Sequence, residues 1–289
     1  PTPSHMRAYL YRNRTTPLRH TLRLVSFDVF RTLGVSGVMP IKPDEIFARV
    51  DELKAADWVL FPQEWQLSTL VHALHCRVFP SVPSYRFGQD KVQFTRAMMA
   101  LNPARMPETL ILPLTPQAVQ TAIDRFGFPF VVKHPKSARG EGVFRIENRS
   151  QLTELLPSLD VLYAQECLEI TRDLRVVWIG DRVVTAYWRQ NAEGFHNNIA
   201  MGGVVDFEDV PAEPLELVRF VATQLGIDHG GFDLVESDGH WMFLEVNVRF
   251  GNTGLKAAGI NLAQIIEDWL VQNTPHTNDT DDDPLPLAG

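Results

Sequence analysis

Cysteine is nearly absent from this chain: Cys76 and Cys167 are the only two in 289 residues. Two thiols cannot form a disulfide framework for a chain this long, so an apolar core must hold it, and a reducing cytoplasm is the expected compartment. No apolar run approaches the roughly 20 residues a spanning helix needs, and no signal peptide precedes the first strand-like run, so no membrane partner is expected. A strong excess of one charge is missing too. The formal net charge is -8, but Asp279, Asp281, Asp282 and Asp283 lie in the tail, which leaves the body near -4. That balance argues against a nucleic-acid groove. Also missing is a Walker loop, in which a glycine run ends in lysine and opens a helix.

What is present is an ordinary globular composition, 45% hydrophobic and 21% charged, in a chain long enough for two or three lobes. Arg7 to Arg12 and Leu22 to Phe30 read as strands, the second with a possible break at Asp28. Pro43, Asp44 and Glu45 open a helix whose apolar face is Ile46, Val50 and Leu53. Trp58 to Phe61 reads as a strand, Glu64 to His75 as a second helix and Arg77 to Phe79 as a short strand. Strands alternating with helices imply a small parallel sheet, which places the fold in the α/β class. Pro80, Pro83 and Gly88 mark the expected end of this lobe.

Beyond it, Gln89 to Leu101 reads as a helix with Lys91 near its start. A second helix carries Val119, Ile123 and Phe126 between Thr115 and Gly127. In the run FPFVVKHPKSARGEGVFRIE, Lys133 closes an apolar strand, and Ser137, Gly140 and Gly142 supply a small turn before the next one. Free backbone N–H groups and an ammonium can hold a polyphosphate. Taken alone, a basic, solvated hairpin is the simpler reading.

Two strands joined at Gly180-Asp181 follow. Period-two alternation puts Asp173 and Arg175 on one face, and Arg175 and Arg189 could form a cationic floor under a phosphoryl group. Cross-strand pairing with Asp173 or Glu193 is the alternative. His196 to Gly203 has neither period and reads as a loop, Leu215 to Leu225 and Leu262 to Leu270 as helices, and the end after Asn273 as disordered.

The densest chemistry lies in GGFDLVESDGHWMFLEVNVRFGNTG, Gly230 to Gly254. Glu245 and Asn247, two apart on one strand, share a face. With Asp233 they make an oxygen set suited to a hard cation, although an ordinary surface hairpin remains open. A tight two-residue turn at Asp238-Gly239 with unbroken pairing would set Asp233 opposite Leu244 and send its carboxylate to the wrong face. The expectation is therefore a longer loop, or one bulge in either strand.

The order of these parts, with VVKHP, SARGEGV, RDLRVVWIGDRVV, GGFDL and FLEVN, resembles the ATP-grasp superfamily, and within it the RimK-type ribosomal-protein glutamate ligases. The likeness runs from about Lys91 to Trp269. It implies an ATP-grasp fold in which residues 7–88 form an N-terminal α/β lobe, 89–163 and 164–272 the two grasp subdomains, and 273–289 an acidic tail. It implies that Lys91 and Lys133 hold ATP phosphates under a Ser137 to Gly142 lid. Glu166 and Cys167 would meet the adenine edge, with Asp173 near the ribose, Asn198 near the phosphates and Arg189 facing them. Asp233, Glu245 and Asn247 would bind Mg2+ or Mn2+. The implied reaction is a carboxylate-amine ligation through an acyl phosphate, with an amino acid or peptide as a possible partner. Two departures concern the substrate: His196, Ala200 and Met201 stand where the family's loop is basic, and Arg249-Phe250-Gly251 replaces the proline after E-x-N. Rival readings are an ATP-grasp ligase with another nucleophile, such as a thiol or a dipeptide, and a nucleotide-binding regulator without turnover.

Overall fold

The computed structural model describes residues 22–136, 142–190 and 204–275, and its contacts divide the chain into two compact units. Unit one comprises residues 1–78 with 262–289. Strands β1 (Leu24–Ser26), β2 (Val38–Pro40), β3 (Trp58–Leu60) and β4 (Val78–Phe79) stand in the order β2-β1-β3-β4. β1 pairs in parallel with both β2 and β3. Val25, Val59, Ile46, Leu53 and Leu70 form the core against the sheet.

Local chemistry shortens several of the expected elements. The strand expected over Leu22 to Phe30 stops at Ser26, because Asp28 folds the chain back: its N–H donates to Ser26 Oγ at 3.1 Å, and its carboxylate accepts from Arg31 N at 3.2 Å. Pro43–Glu45 is a single 3-10 turn, and the helix α1 that follows is confined to Val50–Ala55. Glu64 to His75 is likewise broken into a 3-10 turn, Glu64–Gln66, and a π-helical turn, Thr69–Ala73. The helix Leu262–Gln272, expected with the second grasp subdomain, belongs to unit one. There Trp58 Nε1 donates to Thr274 Oγ1 at 2.9 Å, just beyond the helix end. The strand expected over Arg7 to Arg12 and the acidic tail lie outside the described residues.

Unit two, residues 79–261, holds both remaining sheets. It opens with a helix where the prolines and glycine imply a boundary: α2 (Val82–Gln89) is capped by Ser81, whose Oγ accepts from Ser84 N at 3.3 Å. Pro83 sits in the first turn, where its missing N–H is no loss. Asp228 ties this cap to the following sheet, accepting from Ser81 N at 2.8 Å and Ser84 Oγ at 2.9 Å. Helix α3 (Lys91–Leu101) starts after Asp90, whose Oδ1 caps Val92 N and Gln93 N.

The first antiparallel sheet has the order β5-β8-β6-β7, from β5 (Thr109–Leu112), β6 (Phe130–Lys133), β7 (Val143–Ile146) and β8 (Leu162–Glu166). Helices α4 (Pro116–Phe126) and α5 (Arg149–Leu155) cover one face, burying Val119, Ala122 and Leu152 against Phe130, Val132, Leu162 and Ala164. The second sheet has the order β11-β10-β9-β12-β13, from β9 (Asp173–Ile179), β10 (Arg182–Gln190), β11 (Val204–Asp206), β12 (His229–Ser237) and β13 (His240–Asn247). Its core face, Leu174, Val176, Trp178, Trp188, Phe232 and Phe243, packs against α6 (Ala212–Leu225) and against Phe94 and Met98 of α3. None of the described helices is long and apolar enough to cross a membrane.

Gly88 is where α2 meets the end of the last strand. A Cβ there would lie 2.4 Å from Val248 N, a backbone atom that cannot step aside. Gly88→Ala is expected to cost about 1–3 kcal/mol by overpacking. The check is the shift of the urea midpoint at constant slope, with Gly259→Ala, where a Cβ meets open space at positive φ, separating the crowding from backbone strain.

Candidate active site

Two hairpins of the second sheet build the site by the same device. In β12–β13 the tight turn does form: Ser237 pairs with His240, and Asp238 and Gly239 both take positive φ, 50° and 75°. Such a primed turn suits the right-handed twist of the strands. The pairing then breaks once. Leu234 faces Phe243 while Asp233 faces Glu245, so Leu244 is the extra residue of a bulge. That single insertion restores the parity and puts Asp233, Glu245 and Asn247 on one face. In β9–β10, Arg182 pairs with Ile179 across Gly180-Asp181, and the register slips between Val183 and Thr185. Tyr187 thereby pairs with Arg175, and Arg189 with Asp173.

The result is a row of polar side chains running across four strands, Glu245–Asp233–Arg175–Tyr187, with Asp173 and Arg189 one step along. Arg175 grips Asp233 with two N–H groups, Nε to Oδ1 and Nη2 to Oδ2, the latter at 2.8 Å. Arg189 grips Asp173 in the same way, at 2.6 and 2.9 Å, and its Nη2 also lies 2.9 Å from Asp233 Oδ1. All four are buried. Burial works against charging Asp233, yet Arg175 and Arg189 together hold its carboxyl below the ordinary carboxylate range. Asp173 goes the other way: burial pushes it up to about 6, against the pull of Arg189, with Asp233 adding to the rise. The cross-strand pairing that sequence offered as an alternative for Arg189 is therefore present, and it coexists with a shared face.

Lys91 begins α3 and closes the other end of the row, its Nζ 3.4 Å from Glu245 Oε2. Its backbone N–H donates to Pro135 O at 3.0 Å, which pins the helix start to the segment after β6. Lys133, the last residue of β6, is buried at 6% exposure. Burial lowers its ammonium to about 8, with Glu245 and Asp233 opposing the fall and Lys91 adding to it. It lies 5.8 Å from the centroid of the Tyr163 ring, a cation–π contact.

Tyr163 belongs to a polar face that sequence reading missed. On β8, Tyr163 and Gln165 alternate with the core residues Leu162 and Ala164. Tyr163 OH meets Thr95 Oγ1 of α3 at 2.7 Å, and Gln165 Nε2 donates to Thr109 Oγ1 at 2.7 Å. The alternation was the available signal. Tyr187 was missed too, and Gly254 is the residue that admits it: a Cβ on Gly254 would fall 2.3 Å from the Tyr187 ring.

The remaining candidates are scattered more widely. Glu166 ends β8 with its Oε1 accepting from Glu108 N at 2.6 Å, and its own N–H donates to Glu108 O at 2.9 Å. Cys167 follows it, half-buried, with burial raising its thiol. Gly142 survives from the glycine turn, its carbonyl accepting from His134 N at 2.7 Å. Ser137, Gly140 and Asn198 lie outside the described residues.

Asp233, Glu245 and Asn247 fit a divalent cation by their donor chemistry. Asn247 Nδ2 donates to Glu245 Oε1 at 2.8 Å and reaches Asp233 Oδ2 at 3.5 Å, so the amide stands between the two carboxylates. Turned over, the same amide would offer an oxygen beside the two carboxylates. A shallow depression lined by Phe87, Gln89, Lys91, Leu244, Glu245 and Asn247 opens beside it.

Comparison with known proteins shows the family. Residues 88–270 match the family described as the RimK-like ATP-grasp domain. A probable alpha-L-glutamate ligase of Enterobacter sp. (strain 638) is 31% identical over 152 residues, 50% of this chain and 51% of that protein. The tetrahydromethanopterin:alpha-L-glutamate ligase of Methanocaldococcus jannaschii is 28% identical over 190 residues, 62% of this chain and 65% of that one. The chain thus spans about half to two thirds of the length of these relatives. Among solved structures, D-alanine–D-alanine ligase from Bacillus anthracis superposes with a TM-score of 0.67 at 14% identity, covering 88% of this chain and 97% of that one. That likeness shows the fold alone.

Lys133 supplies a pH test. A group held at about 8 in the folded chain, below its ordinary 10.5, costs stability below pH 8, and the cost lifts as pH rises from 8 to 10.5. A polyphosphate beside the ammonium reverses the shift. Binding of ATP-Mg at pH 8 is expected to take up about half a proton, and close to none at pH 6.5. Calorimetry in buffers of different ionisation enthalpy reads the uptake directly, and Lys133→Met should abolish it.

Proposed function

The chain belongs to the RimK-like ATP-grasp family, and from that premise we propose that it joins a carboxylate to an amine at the expense of ATP. The observation that carries the reading is the seven-membered charged cluster of unit two. Lys91, Lys133, Arg175 and Arg189 stand with Asp173, Asp233 and Glu245, so four cations meet three carboxylates, all buried but the neighbours Lys91 and Glu245 at one end. A cationic surplus in a nearly dry face is unfavourable for the empty protein and favourable for a bound polyphosphate.

In the proposed reaction, a carboxylate oxygen of the substrate attacks the γ-phosphorus of ATP. The bond to the β–γ bridging oxygen breaks, and ADP leaves with that electron pair. An amine then attacks the acyl carbon, inorganic phosphate departs, and the amine proton passes to solvent. Little covalent work falls to the protein in such a transfer, and positioning with charge neutralisation carries the rate. Lys133 and Lys91 would bind phosphate oxygens as point charges. Arg189 would present its fork to the transferring group, and Arg175 would hold the Asp233 carboxylate in orientation. Mg2+ or Mn2+ held by Asp233, Glu245 and Asn247 would neutralise the phosphates and polarise the γ-phosphoryl group. Glu166 and Cys167, at the end of β8, would frame the adenine through backbone groups, as the family likeness implies.

The names of the relatives favour an amino acid as one partner, and Arg249, exposed and two residues beyond Asn247, would receive a substrate carboxylate. Two half-buried, unpaired thiols, Cys76 and Cys167, suit a reducing cytoplasm.

A screen of amino acids and dipeptides for ADP release tests the activity. Glu245→Gln is expected to lower ADP release by at least about a hundredfold while the rise in Tm on adding ATP persists. ATP binding without ADP release from any carboxylate and amine pair would favour a nucleotide-binding regulator instead.

A further inference from the structure

We propose that Asp173 is a positioning residue that fixes the Arg189 guanidinium for the phosphoryl group. The inference rests on the proposed reading of this face as a phosphate site and gives Asp173 a task beyond the place near the ribose that family likeness suggests. Asp173 is the first residue of β9 and lies directly opposite Arg189 in the register. Both its oxygens are engaged by one fork, Oδ1 by Nε at 2.6 Å and Oδ2 by Nη2 at 2.9 Å. At 5% exposure it is buried with its partner.

Arg189 has the opposite character. It is bound along one edge, through Nε and Nη2, to Asp173 and Asp233, which leaves Nη1 outside the clamp. Asp233 alone would hold Arg189 by one N–H and leave a long side chain free to pivot. The bidentate grip of Asp173 fixes the plane of the guanidinium, and a planar fork loses its value when that plane is free. Asp233 is moreover a candidate cation ligand, so its hold on Arg189 weakens when the site is loaded, whereas that of Asp173 does not. A misplacement of about 1 Å in such a group costs on the order of a hundredfold in rate.

Binding alone tests this, without knowledge of the substrate. Calorimetry measures the affinities of ADP-Mg, its 2′-deoxy form and the imido-linked analogue of ATP for wild type, Asp173→Asn, Arg189→Ala and the double variant. Asp173→Asn is expected to lower the preference for the ATP analogue over ADP about tenfold. Arg189→Ala should lower it by a similar factor, and the double variant no further, since the two act as one unit. The preference for ribo- over deoxyribonucleotide reads any contact of Asp173 with the sugar separately. Loss of that preference with the analogue/ADP ratio intact assigns Asp173 to the ribose alone and overturns the proposal, as do additive losses in the double variant. A change in Tm with every ratio unmoved marks a merely structural role and also overturns it. Should Asp173→Asn fail to fold, Asp173→Glu keeps the charge but displaces the carboxylate by one methylene, and the same ratio is expected to fall. Failure of the wild-type chain to bind either nucleotide would refute the phosphate reading itself, an outcome distinct from an unmoved ratio in a chain that binds both.

Discussion

Asp233 held between two arginines is the constraint on which the second sheet depends. Its carboxylate is at 4% exposure and in contact with Arg175 on its own row and Arg189 one row along. Any one of these charges would be prohibitive to bury alone, and removing one partner leaves the others uncompensated. Three strands, β9, β10 and β12, must therefore sit in one register for the network to close. Replacement of such a network by apolar side chains of the same volume is often neutral or stabilising. The ionic arrangement is thus weak evidence for stability and better evidence that the face meets a charged ligand.

Register is where this electrostatic demand becomes a demand on the backbone. A two-residue turn with unbroken pairing would align Asp233 with Leu244, and the same arithmetic in β9–β10 would align Arg175 with Ala186. The chain keeps both tight turns, Asp238-Gly239 and Gly180-Asp181, and inserts one residue further along each hairpin. The bulges leave the core faces intact, because Phe243, Val246, Ala186 and Trp188 still point into the apolar cluster. Each bulge lies between turn and site, so the turn is built by local backbone preference and the site by long-range charge.

That division explains what was legible in the sequence. Period-two alternation located Asp173, Arg175, Glu245 and Asn247 on their faces, since one residue type per face is a local signal. The D-G pair announced a turn, and the need for parity announced a bulge or a longer loop, but nothing in DLVESDGHWMFLEVN says that Leu244 is the inserted residue. The first lobe was less legible because short-range hydrogen bonds overrode its periodicity: Ser26, Asp28 and Thr32 close a compact turn inside an apparently continuous strand run. Pro80, Pro83 and Gly88 marked the end of the first lobe, next to where unit two begins, without announcing the helix that holds two of them. Proline tolerated in a first turn and glycine required by close approach to Val248 are both compatible with α2, and only the packing reveals it. Tyr163 and Tyr187 went unnoticed because aromatic residues in strands are more often core than site.

The cations of the cluster divide by type in a way that follows their chemistry. Both arginines lie within strands, at 9% and 11% side-chain exposure, gripped along an edge by carboxylates. A planar fork keeps its direction when so held, and its charge does not yield to burial. Both lysines stand instead at element ends, Lys91 opening α3 and Lys133 closing β6. Their flexible stems can follow a ligand, and their charge responds to surroundings, as the depressed Lys133 shows. On the proposed reading, fixed direction would serve to orient a transferring group, and adaptable charge to gather a flexible polyphosphate. Glu245, whose oxygens are shared by Lys91 and the Asn247 amide, lies at the junction of the two sets. On the same reading, a polyphosphate drawing Lys91 toward itself would release the oxygen that a cation beside it would need, and so would couple the two ligands through one side chain.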